Sequence, residues 1–202
     1  MIKIPVIKIS YDKLLSRLGY FKAKTKIDRK MFCMINEILN FSQKFIIPSV
    51  AINFENIINI DNEIVFKNGY KIKSFNVSTL LKNSFGAYGV VVTIGKSLER
   101  KRNDFLINKK IFDALILDAV GSVATEEVIK LVYAQIYDCE KEKKNILTKR
   151  YSPGYGDWFL EQNMEFVNWV GAEKIGVSLN EHYQMNPEKS VSAIIGVEKL
   201  EM

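Results

Sequence analysis

The chain has 202 residues, of which 48% are hydrophobic and 26% charged, and its formal net charge is +6. This length suits one substantial core and the composition excludes a disordered chain, so we expect a single domain over residues 1–202. No apolar stretch reaches the ~18 residues that a membrane span needs, and Lys3 and Lys8 interrupt the apolar N-terminus before a signal-peptide core forms. We therefore expect a cytoplasmic protein with no membrane partner.

The charge distribution argues against a nucleic-acid partner. Lysines dominate the basic residues and are scattered, with one modest cluster at 96–102 that would equally suit an acidic protein. Cys33 and Cys139 lie in helical patterns without metal-ligand spacing, which predicts reduced core thiols and no metal site. His182 is the only histidine. Without partners at ligand spacing it is predicted to lie at the surface or behind the residues that contact a ligand, and to be neither catalytic nor metal-binding.

Helical patterns dominate the N-terminal part of the chain. Residues 1–9 alternate loosely and predict an extended arm or an edge strand. A short helix should follow from Tyr11 to Leu18, with Gly19 at its C-terminus. Asp28 is the predicted N-cap of a second helix over Arg29–Lys44.

The pattern then changes to β structure. From Ser49 to Phe75 apolar residues alternate, and Asn68-Gly69 predicts a hairpin, so this part of the sheet should be antiparallel. Ser78 or Thr79 should cap a short helix through Lys82. Residues 85–95 predict a buried central strand, whose glycines imply close approach by another backbone or a ligand.

A long helix is the main predicted element of the second half. After a charged helical turn at Ser97–Arg102, Asn108 should open a helix reaching about Lys143, apolar around most of its circumference in its first half. Asp118 lies in that apolar half and needs donors or a watery cavity. It is predicted either to bond neighbouring backbone or to line a ligand site.

Three shorter elements should follow the long helix. Asp157 is the predicted cap of a helix over Trp158–Val170 that Gly171 ends. Strands are expected at Ile175–Leu179 and Val191–Val197.

Two connections have the composition of ligand loops. The first loop, Lys149–Trp158, combines an arginine, three aromatic rings, two glycines and a proline. Arginine suits a carboxylate, glycine permits close backbone approach, and tyrosine rings can face an apolar or cationic group. A tight turn capped by packed aromatics has the same composition. The second loop, Glu181–Ser190, leads into the final strand.

Common catalytic motifs are missing from the sequence. The tripeptide Gly95-Lys96-Ser97 lacks the upstream glycine of a phosphate-binding loop. No serine elbow or cysteine–histidine pair is present, so ordinary hydrolysis is not expected and no catalytic residue is assigned.

Together, Arg150-Tyr151-Ser152-Pro153-Gly154-Tyr155 and Met185-Asn186-Pro187-Glu188-Lys189-Ser190-Val191-Ser192 resemble the reactivation domain of cobalamin-dependent methionine synthase, most clearly over 85–197. The resemblance implies an α+β domain with a bent antiparallel sheet packed on the long helix. It also implies S-adenosylmethionine binding, with Arg150 on the ligand carboxylate and Gly154 and Tyr155 beside the methionine portion. The other implied pocket residues are Tyr151, Pro153, Asp118, Met185, Pro187, Lys189, Ser190 and Ser192.

In that family the ligand's methyl group passes to the reduced cobalt of a corrinoid on a different module. The resemblance therefore implies a reactivation subunit acting in trans, with cobalamin carried by a partner and a flavodoxin- or ferredoxin-like electron donor. Two alternatives are a docking module for a corrinoid or redox protein that does not bind the nucleoside, and a reactivator of another corrinoid methyltransferase. The chain departs from the family at Gly156-Asp157-Trp158 and at Ile195-Gly196, where the family has an aromatic pair.

Overall fold

The computed structural model of the protein describes residues 4–20, 26–61 and 63–200. Within these residues helices and strands are mixed along the chain. The helices are α1 (Tyr11–Arg17), α2 (Arg29–Ser42), α3 (Phe75–Leu81), α4 (Ser97–Ile107), α5 (Ile111–Glu142) and α6 (Asn163–Val170). The strands are β1 (Ser49–Ile60), β2 (Ile64–Phe66), β3 (Lys71–Ile72), β4 (Gly86–Thr93), β5 (Asn145–Leu147), β6 (Ser178–Leu179), β7 (Met185–Asn186) and β8 (Ser190–Lys199).

A bent antiparallel sheet forms the centre of the fold. Its strand order is β3-β2-β1-β4-β8-β5, and β6 and β7 form a separate small ribbon. Strand β1 pairs with β4 over residues 49–56 and with β2 from Ile57 onwards. The register of the β1–β2 pairing shifts between Ile57 and Asn59, which marks a bulge. Because a bulge bends a strand and increases its twist, β1 carries the sheet around a corner.

Each face of the sheet has its own hydrophobic layer, since alternate residues of β4 point to opposite faces. Val90 and Val92 join the layer built with α1, α2 and α5. Ala87 and Val91 join the opposite layer, which α3, α6 and the wholly buried Trp158 complete. The α+β architecture, with a bent antiparallel sheet packed on a long helix, confirms the predicted fold class.

Gly89 shows why the central strand contains glycine. A Cβ atom there would overlap the indole of Trp169 and lie 2.7 Å from Cγ2 of Val170. The close neighbour is thus an aromatic side chain from α6, and neither another backbone nor a ligand is needed to explain the glycine. Asn53 Nδ2 also donates to the Trp169 carbonyl over 3.1 Å, which fixes α6 against the sheet.

Several predicted helix ends and the hairpin are confirmed. Asp28 Oδ1 accepts from the Met31 amide over 2.7 Å at the start of α2. Gly19, Gly69 and Gly171 have φ values of 84°, 87° and 75°, a conformation that glycine adopts without steric cost. They follow α1, form the β2–β3 turn and end α6, respectively.

Two predicted helix starts are wrong. The cap of α3 is Ser74, whose Oγ accepts from the Val77 amide, so the helix begins before Ser78 and Thr79. Asn108 is the C-cap of α4, which is a full helix of 11 residues, and α5 begins only at Ile111. Asn108 Nδ2 donates to the Asp104 carbonyl, so it closes the preceding helix instead of opening the next.

Other predictions also need correction. The strand expected at Ile175–Leu179 is reduced to β6, because Ala172–Ile175 forms a 3₁₀ turn. Cys33 and Cys139 are exposed on the outer faces of their helices and are not core thiols. Residues 4–10 form no strand, although Ile7 is buried, and residues 1–3 lie outside the described part of the chain.

The end of α5 is fixed to the sheet by Glu140, and its replacement gives a test of the fold. The buried carboxylate accepts hydrogen bonds from Tyr88 Oη (2.7 Å), Lys143 Nζ (2.7 Å) and Asn145 Nδ2 (2.6 Å). Burial opposes ionisation, but these donors outweigh it and hold the pKa of Glu140 below its ordinary value of 4.5. A lowered folded pKa contributes stability above the unfolded value that is lost as the pH falls through the folded pKa.

We therefore expect Glu140→Gln to lower the free energy of unfolding at pH 7 by about 1–3 kcal/mol and to make the loss of stability below pH 4.5 shallower than in wild type. Urea denaturation between pH 3 and 7 measures both effects. Glu173→Gln, at an exposed position, is the control and should follow wild type. If the free energy of unfolding falls equally steeply below pH 4.5 in wild type and in Glu140→Gln, the Glu140 carboxylate is not the source of the pH dependence.

Candidate functional site: a groove between two loops and the long helix

The first loop begins as an extension of the sheet. Tyr151 forms an isolated antiparallel bridge with Ile194 of β8, through amide-to-carbonyl bonds of 3.0 and 2.8 Å. Thr148, three residues before Tyr151, also bonds to β8, because the Gly196 amide donates to Thr148 Oγ1 over 2.8 Å. Arg150 lies between these anchor points, so its backbone position is fixed by β8.

Asp157 ties the far end of the first loop to α3. Its carboxylate accepts from Ser74 Oγ and the Phe75 amide over 2.6 Å each, and from the Asn76 amide over 3.2 Å. These donors, led by Ser74, hold the pKa of Asp157 below its ordinary value. The predicted cap at the start of a helix over Trp158–Val170 is therefore wrong: Asp157 accepts from donors at the start of α3, whose cap residue is Ser74, and α6 begins only at Asn163.

Packed aromatic side chains support the first loop on the side of the hydrophobic core. Trp158 is wholly buried, stacks parallel to Tyr151 with ring centres 6.4 Å apart, and contacts Phe166 edge-on at 5.4 Å. Gly156 has a φ of 56° and leaves no space for a Cβ atom beside Asn76 and the Tyr151 hydroxyl. The loop is thus a turn packed on aromatic side chains, and its role in ligand recognition stays a prediction.

Arg150 faces α5 across the groove. Its Nη2 donates to Oε2 of Glu126 over 2.6 Å. The side chains of Arg150 and Glu126 are 34% and 41% exposed, so the ion pair is accessible from solvent. A solute with complementary charges can therefore reach both groups.

A groove of about 400 Å³ lies between the first loop, α5 and the start of β8. It brings together seven of the predicted site residues, from both loops and β8. They are Arg150, Tyr151, Pro153, Tyr155, Met185, Ser190 and Ser192. Glu126, Ser152 and Val191 complete the wall, and Tyr155 is 68% exposed at the rim.

Four predicted site residues are not in the groove wall: Gly154, Asp118, Pro187 and Lys189. Gly154 has a φ of 88° and faces Leu160, so it shapes the turn without lining the groove. Pro187 is buried and its carbonyl accepts from Ser190 Oγ over 2.7 Å.

Asp118 and Lys189 belong to an ion-pair network beside the groove. Lys189 Nζ lies 2.8 Å from Asp118 Oδ1, and Arg102 Nη1 lies 2.9 Å from the same oxygen. Arg102 also donates to both carboxylate oxygens of Glu188, over 2.7 and 3.2 Å. The predicted bonding of Asp118 to neighbouring backbone is wrong, because the partners of its carboxylate are the side chains of Lys189 and Arg102. Asp118 lies outside the groove wall, and its part in ligand binding stays a prediction.

Electrostatics explain how Asp118 is tolerated on a mainly apolar helix. Partial burial disfavours its charged form, but hydrogen bonds and charge from Lys189 and Arg102 outweigh this and lower its pKa. The hydrogen bonds to Glu188 raise the pKa of Arg102 in turn. Asp118, Glu188 and Arg102 are therefore charged at neutral pH.

Glu126 is the groove residue that sequence reasoning missed. It lies eight residues after Asp118 and four after Ser122, a spacing that puts all three on one face of a helix. This polar stripe on a mainly apolar helix is the sequence pattern that could have indicated Glu126 as a site residue. The sequence does not show that Arg150 lies opposite Glu126 in the folded chain.

The departure at Gly196 has a structural cause. A Cβ atom there would overlap Ser84 Oγ and lie 2.5 Å from Leu81 Cδ2 and 2.9 Å from Thr148 Cγ2. Ile195, beside it, is buried in the layer that contains α5. An aromatic pair does not fit at these two positions, so any stacking surface in the groove must come from the tyrosines of the first loop.

Three other features that the sequence singled out are His182, the candidate metal ligands and the basic cluster at 96–102. The His182 side chain is 73% exposed, as predicted. Among the described residues no cluster of histidine, cysteine and carboxylate side chains has the geometry to hold a metal ion. The basic cluster at 96–102 is partly neutralised, because Arg102 pairs with two carboxylates and Lys101 with Asp104.

No helix in the described part of the chain combines the length and hydrophobicity of a membrane span.

Comparison with known proteins places the fold. No family model matches the sequence, and no curated protein matches it. Among solved structures, the crystal structure of the MetH reactivation domain bound to AdoHcy aligns with a TM-score of 0.72. The chain has the fold of the MetH reactivation domain. The alignment covers 96% of this chain and 75% of the MetH domain, at 11% sequence identity.

The anchoring role of Asp157 gives a prediction for the first loop. Asp157→Ala leaves three donors at the start of α3 without their acceptor, so we expect a lower melting temperature and faster amide exchange at Phe75 and Asn76. Calorimetry and hydrogen exchange measure these effects. Asp138→Ala, at an exposed site on α5, should change neither. Unchanged exchange at Phe75 and Asn76 would show that the contact does not hold the loop.

Proposed function

We propose that the chain binds S-adenosylmethionine in the groove and acts in trans as the reactivation subunit of a corrinoid methyltransferase of the methionine synthase type. The observation that carries the proposal is the Arg150–Glu126 ion pair in the groove wall. The shared fold supports it, because the MetH domain was crystallised with AdoHcy, the product of S-adenosylmethionine after methyl loss.

The ion pair matches the amino-acid end of such a ligand. An α-amino acid carries a carboxylate and an ammonium group on one carbon. Arg150 can donate to the carboxylate through two parallel N–H groups, while Glu126 accepts from the ammonium. Each protein charge then exchanges one charged partner for another, so neither is left unpaired. The pair therefore favours a zwitterion over a simple anion.

The rest of the groove suits the remainder of the ligand. Its volume of about 400 Å³ lies within the roughly 300–1,000 Å³ of small-molecule pockets. Tyr151 and Tyr155 offer aromatic faces for a sulfonium cation or an adenine ring. Ser190 and Ser192 add hydroxyl groups, although Ser192 Oγ already donates to Asn163 Oδ1 over 3.1 Å. In the proposed role these groups bind and orient the ligand, and none of them needs to act as a general acid or base.

The side chains that line the groove suit the transfer of a methyl group from a sulfonium ion. Arg150, Glu126 and the two tyrosines would hold the sulfonium ligand, and a reduced corrinoid carried by a partner would supply the electron pair that the methyl carbon accepts, the electrons of the broken carbon–sulfur bond remaining on sulfur. No proton is moved, so the protein needs only to align the ligand and exclude water. The groove opens to solvent beside exposed Tyr155, where a cofactor carried by a partner protein has access.

Ligand binding tests the first half of the proposal. Isothermal titration calorimetry with S-adenosylmethionine should give a dissociation constant of millimolar or better. Arg150→Ala should weaken it by about ten- to hundredfold, from the loss of about 1.5–3 kcal/mol for a charge-assisted carboxylate bond. Lys149→Ala is the matched control, because it removes the same charge from the adjacent, exposed position.

A second ligand separates recognition of the amino acid from recognition of the nucleoside. 5′-Methylthioadenosine has no carboxylate or ammonium, so its affinity should be equal for wild type and Arg150→Ala. Absence of S-adenosylmethionine binding by wild type would refute the ligand assignment. Equal weakening of both ligands by Arg150→Ala would instead indicate that Arg150 supports the loop and does not bind the carboxylate.

Activity in trans is tested with a separate corrinoid protein. The chain, a reductant, S-adenosylmethionine and the corrinoid module of a methionine synthase should together produce S-adenosylhomocysteine, measured by chromatography. Omitting either protein should abolish the product, and Arg150→Ala should lower the rate at subsaturating ligand. Binding of S-adenosylmethionine without product from any corrinoid module would leave ligand binding established and refute the reactivation role.

A further inference from the structure

Lys189 takes an unusual path from the second loop onto α5. Its side chain crosses the helix at Gly121, where a Cβ atom would lie 3.2 Å from Lys189 Cγ and 3.3 Å from Cε. The Nζ atom then contacts Asp118 Oδ1 at 2.8 Å and donates to Ser122 Oγ over 3.0 Å. Only 13% of this side chain is exposed. The absence of a side chain at Gly121 is what allows the lysine to lie flat against the helix.

The backbone of Lys189 is held just as firmly. Its amide donates to Glu99 Oε1 of α4 over 2.9 Å. Its carbonyl accepts from the Ile94 amide over 3.2 Å and from Thr125 Oγ1 over 3.3 Å. One residue therefore connects the second loop to α4, α5 and the end of β4.

Both loops are thus attached to the same face of α5. Asp118 and Ser122 bind Lys189, and Glu126 binds Arg150. Asp118 and Glu126 are eight residues apart, about 12 Å along the axis of a straight helix. The two attachment points set the separation of the loops, and the groove lies between them.

The two attachments differ in one respect. The Arg150–Glu126 pair lies in the groove wall, where a ligand can exchange with it, whereas Lys189 and Asp118 lie outside that wall. A ligand that occupies the groove leaves the second attachment in place. Met185, Ser190 and Ser192, which flank Lys189 in sequence, then keep their positions while Arg150 changes partner.

We propose that Lys189 is a positioning residue that fixes the second loop on α5 through Asp118 and so sets the width of the groove. Its role for the ligand rests on the proposed function, whereas its role for the loop does not. The two parts can therefore be tested separately, by hydrogen exchange on the protein alone and by ligand binding.

The experiment uses the full chain with Lys189→Met, which keeps an unbranched side chain but removes the charge, and Lys189→Arg, which restores a cation. Gly121→Ala is a second disrupting variant, in which alanine suits the helix but its Cβ would lie 3.0 Å from Leu98 Cδ2 and 3.2 Å from Lys189 Cγ, so that both side chains must shift. Lys71→Met is the matched control, because it removes an ion pair with Glu63 at the opposite edge of the sheet.

In the absence of ligand, amide exchange at Ile94 and Lys189 should rise by about tenfold in Lys189→Met and Gly121→Ala and remain unchanged in Lys71→Met. Lys189→Arg should restore most of the protection. In titrations, the dissociation constant for S-adenosylmethionine should rise by roughly tenfold in the two disrupting variants, although Lys189 does not line the groove.

Unchanged exchange in both disrupting variants would overturn the positioning role. Faster exchange with unaltered ligand affinity would overturn the link to groove width. If wild type does not bind S-adenosylmethionine, the proposed function fails, and the exchange measurements alone then decide whether Lys189 positions the loop.

Discussion

The polar face of α5 is the constraint on which the groove depends. Asp118, Ser122 and Glu126 form a single stripe on a helix that is otherwise largely buried between the sheet and α1, α2 and α4. Each carboxylate is paired with a cation from a different loop, although the Asp118 and Glu126 side chains are 37% and 41% exposed. Because such exposed charges are also stabilised by water, their pairing contributes modestly to stability. Its main effect is to connect both loops to one face of α5.

The sheet provides the second half of that framework. Strand β8 carries Ser190 and Ser192 into the groove and, through Ile194, holds the backbone of Tyr151 next to Arg150. The other end of the first loop is held at the start of α3, where Asp157 accepts a hydrogen bond from Ser74 Oγ. Rigid elements thus position the candidate binding side chains, and little ordering of the loops is needed when a ligand enters. Pre-organisation of this kind reduces the entropic cost of binding.

The same framework explains where the chain departs from the family pattern. Gly196 lies against α3 and leaves no space for a larger side chain, while Asp157 is engaged with the start of that helix. Both contacts pack α3 closely against β8 and the first loop. The groove wall itself contains an arginine, two tyrosines and the hydroxyl groups of three serines.

The sequence by itself determined the long helix, the Asn68-Gly69 hairpin and the two loops, because local periodicity and turn chemistry carry that information. The α+β class came from the resemblance of the two loops to a known family. That resemblance also identified most of the groove wall. Only the tertiary structure decided the partners of Asp118, Asp157 and Glu126. Each is satisfied by a group at least 16 residues away in the chain. A local pattern shows that such a carboxylate needs a partner, but only the folded chain shows which group supplies it.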